Sequence, residues 1–193
     1  MDNIKALKES DIYIRPLLSE DITVRYLSWF KNDIVTKFLD AKNLKKNEVI
    51  KYLNYGKESG SYYIYAICLK SNDMHIGNIK IGPIKRKDGI SDLVTVIGDD
   101  YYWGKGFAKY AIISAIDIGF NQGGIRKFSA SINSLNISSL KAYTSAGMKK
   151  EAIIQNYFYN NVENEIIISD KIYVGCENKK FNMDLLQSWE PFS

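Results

Sequence analysis

A chain of 193 residues with a net charge of +4, 46% apolar and 25% charged residues, has the composition of one ordinary globular domain with its own core. That balance excludes disordered and fibrous classes. The mild positive charge falls short of a nucleic-acid-binding signature, yet suits an anionic small molecule as ligand. The one histidine, His75, excludes a zinc site built on several imidazoles, so no metal is expected. A Ser-His-Asp triad would rest on it alone. Cys68 and Cys176 lie far apart and outside any CxxC pair, which fits buried, reduced thiols. The stretch Met1-Asp2-Asn3-Ile4-Lys5 holds no apolar leader, and no run nears the ~20 apolar residues of a spanning helix. A cytoplasmic protein with no membrane and no nucleic-acid partner is the expectation.

In chain order, Ile12 to Pro16 reads as a strand stopped by proline. Ser19 is placed to cap a helix carrying Ile22, Tyr26, Leu27 and Phe30 on one face. A second helix runs from Asn47 to Gly56. Tyr62 to Leu69 is almost wholly apolar, as a strand covered on both faces should be. Ser71-Asn72-Asp73 turns the chain into Met74 to Ile81, giving a hairpin. Leu93 to Ile97 is a third β-run, followed by Gly104, Gly106 and a helical pattern from Ala108 to Gly119.

Phe128, Ala130 and Ile132 then alternate with polar residues, marking a half-buried strand. Asn136 to Ala146 is a short helix stopped by Gly147. Two last β-runs, Ala152 to Tyr159 and Glu165 to Val174, flank an Asn160-Asn161 turn. No linker or repeat interrupts the order, so residues 1–193 form one mixed α/β domain around a single sheet.

Tyr102-Trp103-Gly104-Lys105-Gly106-Phe107-Ala108 is the most informative segment. A β-run enters it and an amphipathic helix leaves it. Small residues let the backbone approach a ligand, and the unpaired N–H groups of a helix's first turn attract phosphate. Lys105 and Lys109 add positive charge. Taken alone, two glycines before a helix equally suit a tight turn. The segment lacks the Walker spacing, and the preceding hairpin argues against a βαβ dinucleotide unit.

The segment resembles the acyl-CoA-binding motif of the Gcn5-related N-acetyltransferase (GNAT) superfamily, Arg/Gln-x-x-Gly-x-Gly/Ala. Trp103 takes the first position, Gly106 the fourth and Ala108 the sixth. Tyr-Trp-Gly-Lys-Gly-Phe-Ala is especially similar to the branch acting on protein N-termini, small amines and amino sugars. Downstream, Asn136 to Met148 resembles the family pattern Asn-x-x-Ser/Ala-x-x-x-Tyr-x-x-x-Gly-Phe, with Met148 replacing Phe. The similarity extends over residues 12 to 175.

The resemblance implies an α+β fold, a mixed and mostly antiparallel sheet of about seven strands flanked by about four helices. It also implies acetyl-CoA as cofactor and direct acetyl transfer to an amine in a ternary complex. The diphosphate would meet Gly104, Lys105, Gly106, Phe107, Ala108 and Lys109 beside Trp103. The pantetheine arm would run along Val94, Thr95, Val96 and Ile97, near Asn136, Ser139 and Tyr143. Tyr143, with Ser139, would serve catalysis, Tyr143 as acid toward the departing thiolate. Helix capping by Asn136 and Ser139, and core packing by Tyr143, remain open alternatives.

Asp92, Asp99 and Glu163 stand nearest by position to act as base, or are plain surface carboxylates. Trp29, Asp33, Tyr157 and Tyr159 are the residues for an acceptor pocket, or for ordinary packing. The acceptor expected first is a small-molecule amine or amino sugar, and second a protein N-terminus. A silent acetyl-CoA-binding module and an unrelated nucleotide-binding protein using the Gly104/Gly106 loop are the alternatives from other classes. A homodimer is kept open.

Overall fold

The computed structural model describes residues 11–162 and 165–192. Seven strands form one sheet: β1 Ile12–Pro16, β2 Tyr63–Leu69, β3 His75–Lys85, β4 Ile90–Ile97, β5 Lys127–Asn133, β6 Lys149–Val162 and β7 Glu165–Glu177. Their spatial order is β1-β2-β3-β4-β5-β7-β6. Every neighbouring pair is antiparallel except β4 and β5, which run parallel. Six helices are described: α1 Val24–Trp29, α2 Asp33–Thr36, α3 Lys46–Ser59, α4 Phe107–Asn121, α5 Ile137–Ser145 and α6 Met183–Ser188. None is long and apolar enough to cross a membrane.

The alternation of β side chains divides the core in two. Tyr63, Tyr65, Ile67 and Leu69 of β2 join the cluster under α4, with Leu93, Ile112, Ala115, Phe128 and Ile132. Tyr62 precedes β2 and joins Ile64, Ala66 and Cys68 in the opposite cluster, against Ile22, Tyr26, Trp29, Phe30 and Leu53. This is why β2 reads as an unbroken apolar run. No residue of β5, β6 or β7 is among those forming the second cluster, so on that face no helix among the described residues packs on the far half of the sheet.

Several local features depart from the sequence reading. The first helix does not start at Ser19, which opens a single 3-10 turn. Thr23 caps α1 instead, its hydroxyl accepting from Tyr26 N at 3.2 Å. Asn32 then interrupts the run and caps α2 through Ile34 N at 2.9 Å. Gly56 does not stop the second helix; Gly60 does, in the left-handed conformation. A Cβ on Gly56 would lie 2.2 Å from the Tyr62 ring, so that glycine serves close packing. Asn160 and Asn161 are not a turn but rungs of the β6–β7 ladder, paired with Ile167 and Ile166. With α6 added, capped by Asn182, the helices among the described residues number six, against an expectation of about four.

One interruption of the sheet matters most. The parallel β4–β5 ladder spans only Ile90–Lys127, Ser91–Phe128 and Asp92–Ser129. From Leu93 to Ile97, β4 remains paired with β3 alone, and the two strands splay apart.

Candidate active site

At the end of β4 the chain turns on Gly98, whose N–H donates to Ile76 O at 2.9 Å. A Cβ there would fall 2.1 Å from the Trp29 ring, so Trp29 is the packing floor of this turn. Asp99 follows as a cap, Oδ1 accepting from Tyr101 N at 3.2 Å. Its other oxygen pairs with Arg25 at 2.6 Å. Trp103 Nε1 then donates to Ile97 O at 2.8 Å, tying the loop back to the strand it left.

Gly104 and Gly106 both have left-handed backbones, with φ of 75° and 80°, which L side chains rarely adopt. A Cβ on Gly104 would meet nothing within 4 Å, and one on Gly106 only Tyr110 at 3.8 Å. The loop is therefore open on its outer side. No side chain caps α4, so its first amides keep their donors for a ligand. The Lys105 ammonium lies 3.9 Å from the Tyr101 ring centre beside this mouth.

The splay between β4 and β5 holds a slit of about 130 Å³. Leu93, Thr95, Ala130, Ile132 and Tyr143 border it on the α4–α5 side, with Asn136 and Ser139; Asp92, Val94, Ser131 and Asn133 border it on the other, beside Phe38 and Leu39. The slit thus passes through the sheet.

The Tyr143 hydroxyl crosses to β4, donating to Leu93 O at 3.0 Å and lying 3.2 Å from Thr95 Oγ1. Burial pushes its pKa up to about 12. Asn136 caps α5, its Oδ1 accepting from Ser139 N at 3.1 Å, which leaves the side-chain NH₂ outside that cap. Asp92 occupies the last rung before the strands part. Burial raises its carboxyl above the usual range, although Lys85, Lys80 and Lys171 pull it down.

The structure brings Asp92, Val94, Thr95, Asn136, Ser139 and Tyr143 to one slit. It does not bring Trp29, Asp33, Tyr157 or Tyr159 there. Trp29 is 5% exposed and borders a separate hollow with Arg25 and His75. Asp33 is exposed on the first turn of α2. Tyr157 and Tyr159 are exposed on the outer half of β6, where the Lys171 ammonium lies 4.3 Å from the Tyr157 ring centre. Asp99 is committed to its cap and ion pair, and Glu163 lies outside the described residues. Sequence reasoning missed Phe38, Leu39, Ser131 and Asn133. Only the apolar pair Phe38-Leu39, set in a polar stretch, carried any signal.

Residues 11–149 match the family model of the acetyltransferase (GNAT) domain. The uncharacterised N-acetyltransferase p20 of Bacillus licheniformis is 24% identical over 159 residues, covering 80% of this chain and 88% of its own. Among solved structures, spermidine N-acetyltransferase from Vibrio cholerae, in complex with CoA and spermine, superposes with a TM-score of 0.73 at 17% identity. It covers 89% of this chain and 98% of its own. Ribosomal-protein-S5-alanine acetyltransferase from Vibrio fischeri gives 0.70 at 17% identity, over 90% and 96%.

Proposed function

The chain belongs to the GNAT acetyltransferase family, and from that premise we propose that it transfers acetyl from acetyl-CoA to the primary amine of a small molecule or amino sugar. The transfer is direct, within a ternary complex. The observation that carries this reading is the slit through the sheet, with Tyr143 on one side and Asp92 on the other.

The residues present fit acetyl-CoA. Gly104 and Gly106 leave room over the uncapped mouth of α4, suited to a diphosphate. Lys105 and Lys109 add charge beside it, and Trp103 fixes the loop through Ile97. From there the free edge of β4, Val94 to Ile97, offers backbone groups to the pantetheine arm, with the Asn136 amide and the Ser139 hydroxyl opposite.

The thioester supplies the electrophilic carbonyl. The acceptor reaches it from the face opposite α4 and α5, where Asp92 takes a proton from the ammonium so that the neutral amine can attack. Its raised pKa suits a base. As the amine nitrogen bonds to the carbonyl carbon, a β4 backbone N–H steadies the oxygen. Tyr143 would give its proton to the sulfur as the carbon–sulfur bond breaks, and the proton shed by the new amide nitrogen would restore the phenol. Phe38 and Leu39 keep water from the same mouth.

Initial-velocity kinetics across a panel of small amines, amino sugars and N-terminal peptides test the reading. Intersecting lines with an amine or amino sugar are expected. Parallel lines would instead mean a covalent acyl-enzyme, and turnover confined to peptides would move the acceptor to a protein N-terminus.

A further inference from the structure

The face of the sheet from which the acceptor approaches carries an unbalanced charge. Asp92 pairs with Ser129, and alternate residues Ser131 and Asn133 continue that face along β5. Asn133 pairs with Lys171 of β7. On the other side of β4, Val94 pairs with Lys80 and Ile90 with Lys85, both on the face of Asp92. Three lysines therefore surround one carboxylate at the slit.

None of the three has a carboxylate within ion-pair distance among the described residues, Asp92, Asp33 and Asp40 included. Lys127, lower on the same face, is different: it pairs with Glu151 at 2.7 Å and Glu177 at 3.4 Å. Lys80 and Lys171 are held by neutral phenols instead. Lys80 donates to the Tyr52 hydroxyl at 3.1 Å, and the Lys171 ammonium lies 4.3 Å and 5.2 Å from the Tyr157 and Tyr173 ring centres. These contacts position the ammonium groups without neutralising them.

Resting on the acceptor side assigned above, we infer that the acceptor carries an anionic group, a carboxylate or a phosphate, beside its reacting amine, and that Lys80, Lys85 and Lys171 receive it. An amine with no anion meets a site with two surplus positive charges, and a polyamine fares worst. An anionic partner is drawn in and held with its amine toward Asp92. The acceptor class therefore differs from the spermidine named for one structural relative.

Matched pairs test this: cadaverine against 6-aminohexanoate, and glucosamine against its 6-phosphate, with spermidine as the cationic extreme. The preference within each pair is read twice, as kcat/KM with acetyl-CoA and as equilibrium binding to the CoA-loaded protein. The wild type should prefer the anionic member at least tenfold in one pair. Which pair shows it separates carboxylate from phosphate. In the triple variant Lys80→Gln/Lys85→Gln/Lys171→Gln that preference should fall below threefold, with the melting curve confirming a folded protein.

A wild type that handles cadaverine, glucosamine or spermidine as well as the anionic members overturns the inference and leaves acetyl transfer standing. So does a preference that survives in the variant. Acetyl-CoA binding without turnover of any amine would overturn the proposed function by a separate readout, while the binding arm still decides the question of the anion.

Discussion

The Tyr143 hydroxyl is bonded to the carbonyl of Leu93, 3.0 Å away on the strand opposite its own helix. This bond spans the mouth of the slit and aims a buried phenol at the one stretch of β4 that has lost its partner on β5. With a pKa pushed up to about 12 by burial, the phenol stays protonated throughout the working range.

Tyr143→Phe should lower kcat about 100-fold, as loss of a positioned acid does, while the affinity for acetyl-CoA changes far less. Losing the hydrogen bond should cost about 1 kcal/mol of stability. Steady-state kinetics beside a melting curve check both. Unaltered turnover would leave Tyr143 as a core residue only.

Asp92→Asn should abolish the acid limb of the kcat/KM profile and reduce turnover at neutral pH at least tenfold. Its effect on stability runs the other way. Burial raises the folded-state pKa of Asp92, so its contribution favours the fold below the usual carboxylate range and is lost as pH rises through the raised value. At neutral pH the variant should therefore be no less stable than the wild type. Denaturant titrations at pH 4 and pH 7 check the sign.

Asp99→Asn tests Asp92 against its neighbour for the role of base. The Asp99–Arg25 pair is partly exposed, with side-chain exposures of 25% and 41%, so its loss should cost no more than about 1 kcal/mol. The acid limb should persist. Its disappearance would move the base from Asp92 to Asp99.

Gly106→Glu should weaken acetyl-CoA binding at least tenfold, about 1.4 kcal/mol. The variant adds a carboxylate and strains a left-handed position, yet its Cβ meets only Tyr110, so the fold should survive. Isothermal titration reads the affinity, and an unchanged value would place the diphosphate elsewhere.

The sheet was largely legible because its signals are local. The unbroken apolar run of β2 and the alternation of Phe128, Ala130 and Ile132 report burial directly. The loop from Trp103 to Ala108 was readable for the same reason, since glycine spacing and a helix start lie within seven residues.

What escaped depends on contacts distant in sequence. Nothing near Trp29 announces that Gly98 will press against its ring, a packing role that keeps it out of the slit lining. Asn32 looks like any surface asparagine until its side chain is seen capping α2 and breaking the first helix in two. Two of the three lysines come from β3 on one side of the slit and the third from β7 on the other. Only the register of the sheet brings them around Asp92.

A crystal structure of the acetyl-CoA complex tests the central claim most directly. The diphosphate oxygens should accept hydrogen bonds from backbone amides between Gly104 and Ala108, with the thioester carbonyl inside the β4–β5 slit near Tyr143. A diphosphate bound away from the mouth of α4, or a thioester outside that slit, would contradict it.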